Sequence, residues 1–416
     1  MAIDSFSLSE VHEQLAIANL DRLARHEPPS RPDNSLIDNE ELCNITLRIL
    51  EGWSSDNTAS ISTSIASQVF SGQSNISWPI AFLPFMESMG MYLRDYSLLD
   101  EAWQEYRAYK VNGSNDEITL KHCVKTYHAA YDPIRKLAQF WGLEFVPLCD
   151  LLHTPPDGQP HWDGPYCGAF YTTNAQKNSP FVGIAFKGTN PANLRDVKVD
   201  YNYQLTSVGQ YLGGAPTRVS LGVFTALFSR FEEIEDIAYD YIVAALTKCV
   251  STIPGRSDTN IVKAHVTGHS LGGSYSSLFY TQFFQDGGKI PVNIGDEYTF
   301  GAPRVGNEEW ATYNNTNFGP PSISQSWRVV NDQDLVPQIP ATSLRPTELD
   351  FYHIDKGMKI FNNSVPQPIP TEIGLPPPPP VQFKSLAALI KAIKDSTFHL
   401  PKSYYDSMVY AINNTK

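Results

Sequence analysis

One stretch constrains this chain more than any other: Asn260-Ile261-Val262-Lys263-Ala264-His265-Val266-Thr267-Gly268-His269-Ser270-Leu271-Gly272-Gly273-Ser274. Ile261, Val262, Ala264 and Val266 give it strand character. Beyond Ser270, the residues Leu271, Tyr275, Leu278, Phe279 and Phe283 recur at helical spacing and predict a helix with one buried face. A bare G-x-S-x-G arises by chance in about one such chain in ten. Between a strand and a helix it becomes a sharp turn with Ser270 at its apex, strained and with its hydroxyl pushed outward. Gly268 and Gly272 leave room where side chains would collide, and Gly273 lets the helix approach its neighbours. The N–H of Leu271 then lies at a helix N-terminus, aimed at any oxyanion that forms beside Ser270.

A chain of 416 residues can bury a large core around such a turn. Its formal charge of −13 argues against nucleic acid and anionic membrane surfaces as partners. No apolar run is long enough to span a bilayer, and Ile80-Ala81-Phe82-Leu83-Pro84-Phe85-Met86, short and interrupted by Pro84, reads as a core segment. Met1 to Leu20 carries Asp4, Glu10 and Glu13 and lacks the pattern of a signal peptide. The sequons at Asn44, Asn75, Asn112, Asn314, Asn362 and Asn413 hint instead at a secretory route, so secreted and cytosolic locations both stay open. The odd set Cys43, Cys123, Cys149, Cys167 and Cys249 has no metal-ligand spacing and implies no disulfide framework, though it leaves room for one or two bridges.

The pattern along the chain predicts an α/β architecture with a helical N-terminal addition. Residues 1–150 read as mainly helical, with helices over Ser7–Arg25, Leu98–Tyr109 and Lys121–Trp141. Residues 151–416 read as the catalytic domain. Paired strands are expected at Cys167–Thr172 and Phe181–Phe186, an alternating segment at Asp196–Leu205, and one long helix from about Val223 to Val250. Further strands are expected near Glu297–Phe300 and Trp327–Val330. Residues 365–381 are proline-rich and predict a stiff extended strap. Leu386, Leu389, Ile390 and Ile393 follow at amphipathic helical spacing. The strap reads either as a surface tie or as a wall of an apolar cleft.

A serine hydroxyl needs a base, and the base, a histidine, needs a carboxylate to hold it. In α/β-hydrolase order both follow the serine. Arg328-Val329-Val330-Asn331-Asp332-Gln333-Asp334 is a strand ending in a polar turn, which offers Asp332 and Asp334. His353 and His399 are the histidines that follow Ser270.

Four pieces, in this order, resemble the class 3 lipases of filamentous fungi. They are Ile184-Ala185-Phe186-Lys187-Gly188-Thr189, the Gly268–Gly273 turn, Thr299-Phe300-Gly301-Ala302-Pro303-Arg304-Val305-Gly306-Asn307, and Asp334-Leu335-Val336-Pro337. The resemblance covers roughly Leu152 to the C-terminus and implies an α/β-hydrolase fold with a mostly parallel central sheet. It selects Asp334 over Asp332, and His399, ahead of a Tyr-bearing stretch, over His353. It also implies that Thr189 and Leu271 donate the oxyanion hole. Lys187 stands where the family usually has Arg, so the loop anchor lacks a bidentate fork. Pro191–Asp196, in the place of the family's lid, is short and polar.

The resulting expectation is a serine hydrolase of carboxylic esters, a lipase on long-chain acylglycerols. It would use a Ser270–Asp334–His399 triad and an acyl-enzyme, without metal or organic cofactor, on a lipid ester presented at an interface. Phospholipase A1, sterol esterase and feruloyl-type esterase activities fit the same scaffold. An inactive lipid-binding homologue is the rival of a different class.

Overall fold

The computed structural model describes residues 8–26, 39–72, 74–113, 116–151, 164–188, 204–214, 216–231, 234–287, 289–318, 324–340, 351–354, 356–374, 391 and 397–415. Its centre is an eight-stranded sheet in the order β1-β2-β3-β8-β9-β10-β11-β12. The strands are β1 (Leu143–Asp150), β2 (Tyr166–Thr172), β3 (Phe181–Phe186), β8 (Val262–His269), β9 (Val292–Phe300), β10 (Ser326–Asn331), β11 (Gly357–Ile360) and β12 (Gln367–Pro368). β1, β2 and β3 pair antiparallel, β3 through β11 pair parallel, and β12 closes the far edge antiparallel. Two small hairpins, β4 (Leu205–Ser207) with β5 (Arg218–Ser220) and β6 (Arg230–Phe231) with β7 (Asp236–Ile237), lie outside this sheet.

Helices cover both faces, as a parallel sheet requires. On one side lie α1 (Leu8–Leu23), α2 (Asn39–Asp56), α3 (Thr58–Ala66), α4 (Trp78–Gly90), α5 (Tyr96–Val111), α6 (Glu117–Ala129), α7 (Asp132–Phe140) and, from the other end of the chain, α12 (Pro401–Asn414). Most of these share one core with Phe181, Ala185, Tyr298, Phe300 and Trp327 of the sheet. On the opposite side lie α8 (Leu221–Phe228), α9 (Ala238–Thr252), α10 (Leu271–Gln285) and α11 (Glu308–Asn317), packed on Val182, Ile184, Val262, Ala264 and Val266. Strand alternation therefore sorts each residue to one layer or the other.

β8 is unequal on its two sides. Val262, Ala264 and Val266 face the α10 core. His265 and Thr267 face α4, and both are fully buried. A buried polar side chain needs a partner. His265 Nε2 meets the Glu87 carboxylate at 2.6 Å, and Thr267 Oγ1 donates to the Pro84 carbonyl at 3.0 Å. The Ile80–Met86 run is thus core, in a helix buried almost all round. A second buried network joins the N-terminal layer to the sheet edge: the Asp150 carboxylate takes the Arg94 guanidinium and the Tyr131 hydroxyl, and Asn19 bonds Tyr127 at 3.0 Å.

Three expectations change. The helix predicted from Val223 to Val250 is two helices, α8 and α9, separated by the β6–β7 hairpin, where Glu235 adopts a φ of 52°. The run of acidic residues there disfavours a continuous helix, because like charges spaced within one turn repel. The helix predicted over Lys121–Trp141 breaks at Ala130-Tyr131, where Pro133 starts α7 and Tyr131 turns inward to Asp150. The helix after Ser270 is buried on all sides from Leu271 to Phe283 rather than on one face. All five cysteines are buried, and none is joined in a disulfide among the described residues. Most of the Asp196–Leu205 alternation, the Pro191–Asp196 segment, the proline run beyond Gly374, and Leu386, Leu389, Ile390 and Ile393 lie outside the described residues.

Candidate active site

The turn predicted at Ser270 is present. β8 ends at His269, α10 begins at Leu271, and Ser270 between them has φ 57° and ψ −131°. A non-glycine residue there stores strain on the order of 1–3 kcal/mol and persists only where its surroundings hold it. Ser270 is held by its N–H, which donates to the Phe300 carbonyl at 2.9 Å. Close backbone approach completes the turn: a Cβ on Gly268 would lie 2.2 Å from the Gly272 carbonyl oxygen, and one on Gly272 would lie 2.3 Å from that of Phe186. Leu271 N opens the helix, so the positive end of α10 faces the serine.

Asp334 and His399 come together. β10 delivers the chain to a turn in which Asp332 takes a left-handed φ of 34°, and Asp334 follows with its side chain fully buried. His399 Nδ1 lies 2.8 Å from Asp334 Oδ2. The same oxygen accepts the Tyr404 hydroxyl at 2.6 Å, and Oδ1 accepts the Val336 N–H at 3.0 Å. A carboxylate with three donors in a buried setting is oriented and kept as an acceptor. Asp332 instead shapes the turn, its N–H bonded to the Ile360 carbonyl at 2.9 Å.

His399 sits in a 3-10 turn, Thr397–His399, just before α12. Asn331 braces that turn by donating to the Phe398 carbonyl at 2.7 Å and accepting from Ser407 of α12 at 2.7 Å. From the N-terminal layer, Trp53 stacks on Tyr405 of α12 at 4.2 Å, and Asn57 donates to the Tyr405 hydroxyl at 3.1 Å. Gly301, at φ 62°, lies where any Cβ would crowd Tyr404, Asp334 and His399 within 3.0 Å.

His353 is placed elsewhere. Its Nε2–H donates to the Pro337 carbonyl at 2.6 Å, and burial, with Arg328 nearby, holds its pKa well below the ordinary value. It is a structural histidine of a clamp in which Glu372 of the proline-rich segment accepts Arg304 Nη2 at 2.7 Å, Arg304 Nε at 3.1 Å and the His353 N–H at 3.0 Å. Arg304 also donates to the Gln338 carbonyl at 2.8 Å, tying the strap to the Asp334 loop. Burial raises the Glu372 pKa, but the surrounding His353 and Arg304 interactions outweigh it and bring it to about 2.

Thr189 lies outside the described residues. The chain leading to it passes beside the serine, since a Cβ on Gly188 would stand 3.2 Å from Ser270 Cβ. Lys187, expected to anchor this loop less rigidly than Arg, is buried with Nζ donating to the Gly188 carbonyl at 3.0 Å.

Two residues of the site were not foreseen. The His269 ring stacks on the His399 ring at 4.6 Å and 25°. Its Nδ1 lies 2.9 Å from the hydroxyl of Tyr92, in the 3-10 turn Met91–Leu93 after α4. His269 is the variable position of G-x-S-x-G, so the motif gave it no role. Tyr92 lies far away in sequence and carries no motif at all.

The mixed sheet, its parallel centre and a strained serine between β8 and α10 define the α/β-hydrolase fold. Residues 183–344 match the family model described as Lipase (class 3). Over those residues the chain is similar to the class 3 lipases. It is 29% identical to triacylglycerol lipase OBL1 of Arabidopsis thaliana over 188 residues, 41% of this chain and 36% of that protein. It is 28% identical to secreted mono- and diacylglycerol lipase 1 of Fusarium solani over 174 residues, 42% of this chain and 43% of that one. The chain thus spans less than half the length of these curated relatives. Among solved structures, lipase II from Rhizopus niveus superposes with a TM-score of 0.37 at 20% identity, covering 67% of this chain and 80% of that one.

Proposed function

We propose that this protein is a serine hydrolase of carboxylic esters, a lipase acting on acylglycerols, with Ser270 as nucleophile, His399 as base and Asp334 as the acid that orients it. The observation that carries this reading is the buried Asp334–His399 pair, at 2.8 Å, in a fold whose strained strand–helix turn presents a serine. Ser270 attacks the ester carbonyl while His399 Nε2 takes its proton. Asp334, bonded to Nδ1, fixes the tautomer and stabilises the imidazolium. The N–H groups of Leu271 and Thr189 hold the tetrahedral oxyanion, each worth about a hundred- to a thousandfold in rate. His399 then gives the proton to the departing alcohol, and a water deprotonated by the same ring releases the acid.

The substrate assignment is supported by the family match and by the names of the relatives, triacylglycerol lipase and mono- and diacylglycerol lipase. Among the described residues no helix is long and apolar enough to cross a membrane. The catalytic region, with its strap, and the N-terminal helices are read as one folding unit, because one core contains residues of both.

The test is hydrolysis of p-nitrophenyl esters and of emulsified triolein, phosphatidylcholine and cholesteryl oleate by the wild type and Ser270→Ala. The expected result is turnover of acylglycerol emulsion by the wild type, lost in the variant. Full ester turnover by Ser270→Ala overturns the triad. Turnover of short soluble esters alone overturns the lipase reading.

A further inference from the structure

We propose that Tyr92, from the N-terminal helical layer and outside the residues that match the family, is a positioning residue for the His399 imidazole and acts through His269. The inference rests on the triad proposed above and extends it to the layer whose role the sequence left open.

The polar side of β8 carries the argument. His265, Thr267 and His269 alternate along it, and each is met by the segment that runs from α4 into the Met91–Leu93 turn: Glu87, the Pro84 carbonyl and Tyr92, respectively. The last of these contacts reaches the active site. His269 is 1% exposed, and its ring stacks on His399. The rings of Tyr92 and Tyr404 meet it edge-on, at 5.8 Å and 5.5 Å. The Tyr92 hydroxyl also occupies the space over Gly188 that any Cβ there would need, next to Ser270.

A ring in stacking contact with the base affects it in two ways. It fixes the plane in which His399 swings, and its charge adds to or opposes the imidazolium that His399 becomes. A neutral partner in one fixed tautomer serves catalysis best. Tyr92 supplies that condition. Burial raises its own pKa, so the hydroxyl keeps its proton and stands 2.9 Å from His269 Nδ1, placed to donate to it. A donor at Nδ1 leaves the His269 proton on Nε2. Burial first, then the neighbouring His399, holds the His269 pKa well below the ordinary value. The other groups around His269 are Tyr404 from α12, in ring contact with it, and Asp334 behind His399. Removing the hydroxyl of Tyr92 therefore frees a basic nitrogen beside the catalytic ring.

The experiment compares wild type, Tyr92→Phe, His269→Gln and the double variant as full chains. It measures kcat and KM for a soluble p-nitrophenyl ester from about pH 5 to about pH 9, with fluorophosphonate titration to count competent sites. Tyr92→Phe keeps the ring and its packing. It is expected to lower kcat about tenfold with KM unchanged, because the His269 ring stacked on His399 is no longer held in one orientation. His269→Gln is expected to lower kcat and keep a one-proton limb. Adding Tyr92→Phe to it should change nothing further. A Tyr92→Phe profile that superimposes on the wild type overturns the inference. So does a loss that is equal in the two backgrounds, since Tyr92 would then act without His269. If Tyr92→Phe does not fold, His269→Gln decides alone: wild-type kcat in that variant overturns the inference. Absence of ester hydrolysis in the wild type would overturn the proposed function instead, so the two failures are distinguishable.

Discussion

The two sides of β8 do different work. Toward α10, Val262, Ala264 and Val266 pack by shape, and most apolar residues of similar volume would serve. Toward α4, His265 and Thr267 are buried polar groups whose partners must arrive at one register. A helix shifted by one turn would leave a carboxylate and an imidazole buried and unpaired, a cost far above that of a small void. The apolar side gives stability, whereas the polar side fixes where the N-terminal layer docks. The strand that presents Ser270 is thus aligned by residues that no G-x-S-x-G motif contains.

The comparison is broken most severely at Glu87. Glu87→Ala leaves His265 buried without its partner and is expected to cost about 3–5 kcal/mol in urea unfolding. Glu87→Met with His265→Leu should recover most of that loss while removing the polar specification. On the other side, Val266→Ala is expected to cost about 2 kcal/mol, through lost burial and a small cavity. A Glu87→Ala loss no larger than that of Val266→Ala would show the two sides to be equivalent.

Two carboxylates, Glu372 half-buried and Glu297 fully buried, sharpen the same contrast through pH, with opposite signs. Glu372 falls from 4.5 to about 2 in the folded state. A depressed acid stabilises the fold above its unfolded pKa, and that contribution is lost as pH falls from about 4.5 toward 2. Glu372→Gln should therefore lower stability by up to about 3 kcal/mol near neutrality and flatten the acid limb of stability against pH. Glu297 of β9, held by Ser276 and Ser326 hydroxyls at 2.9 Å and 2.7 Å, is pushed up by burial to about 7. A raised acid favours the fold while protonated, so that support is lost as pH climbs from about 4.5 through 7. Glu297→Gln, which stays neutral, should be more stable relative to wild type at pH ~8 than at pH ~5. Equal differences at both pH values would show that Glu297 does not titrate in that window.

Sequence reasoning reached what is written in local pattern. The strand–turn–helix at Ser270 follows from β-branched residues, two glycines and helical spacing within one short stretch, and the observed backbone matches that reading. Asp334 and His399, singled out through resemblance, do meet. Long-range polar pairing was not legible. Glu87 sits in an otherwise apolar run, and nothing local states that its partner is 178 residues away. Tyr92 and His269 stand 177 residues apart. The apparent helix from Val223 to Val250 misled because apolar spacing continues through a hairpin that acidic residues and a left-handed Glu235 turn back.

The central claim is that a buried Asp334 orients His399 for attack by Ser270, and Asp334→Asn tests it most directly. The amide keeps the shape of the side chain but favours the wrong tautomer of His399, so kcat for ester hydrolysis should fall by about ten-thousandfold with the fold and KM retained. A folded Asp334→Asn protein whose kcat stays within about tenfold of the wild type would contradict the account.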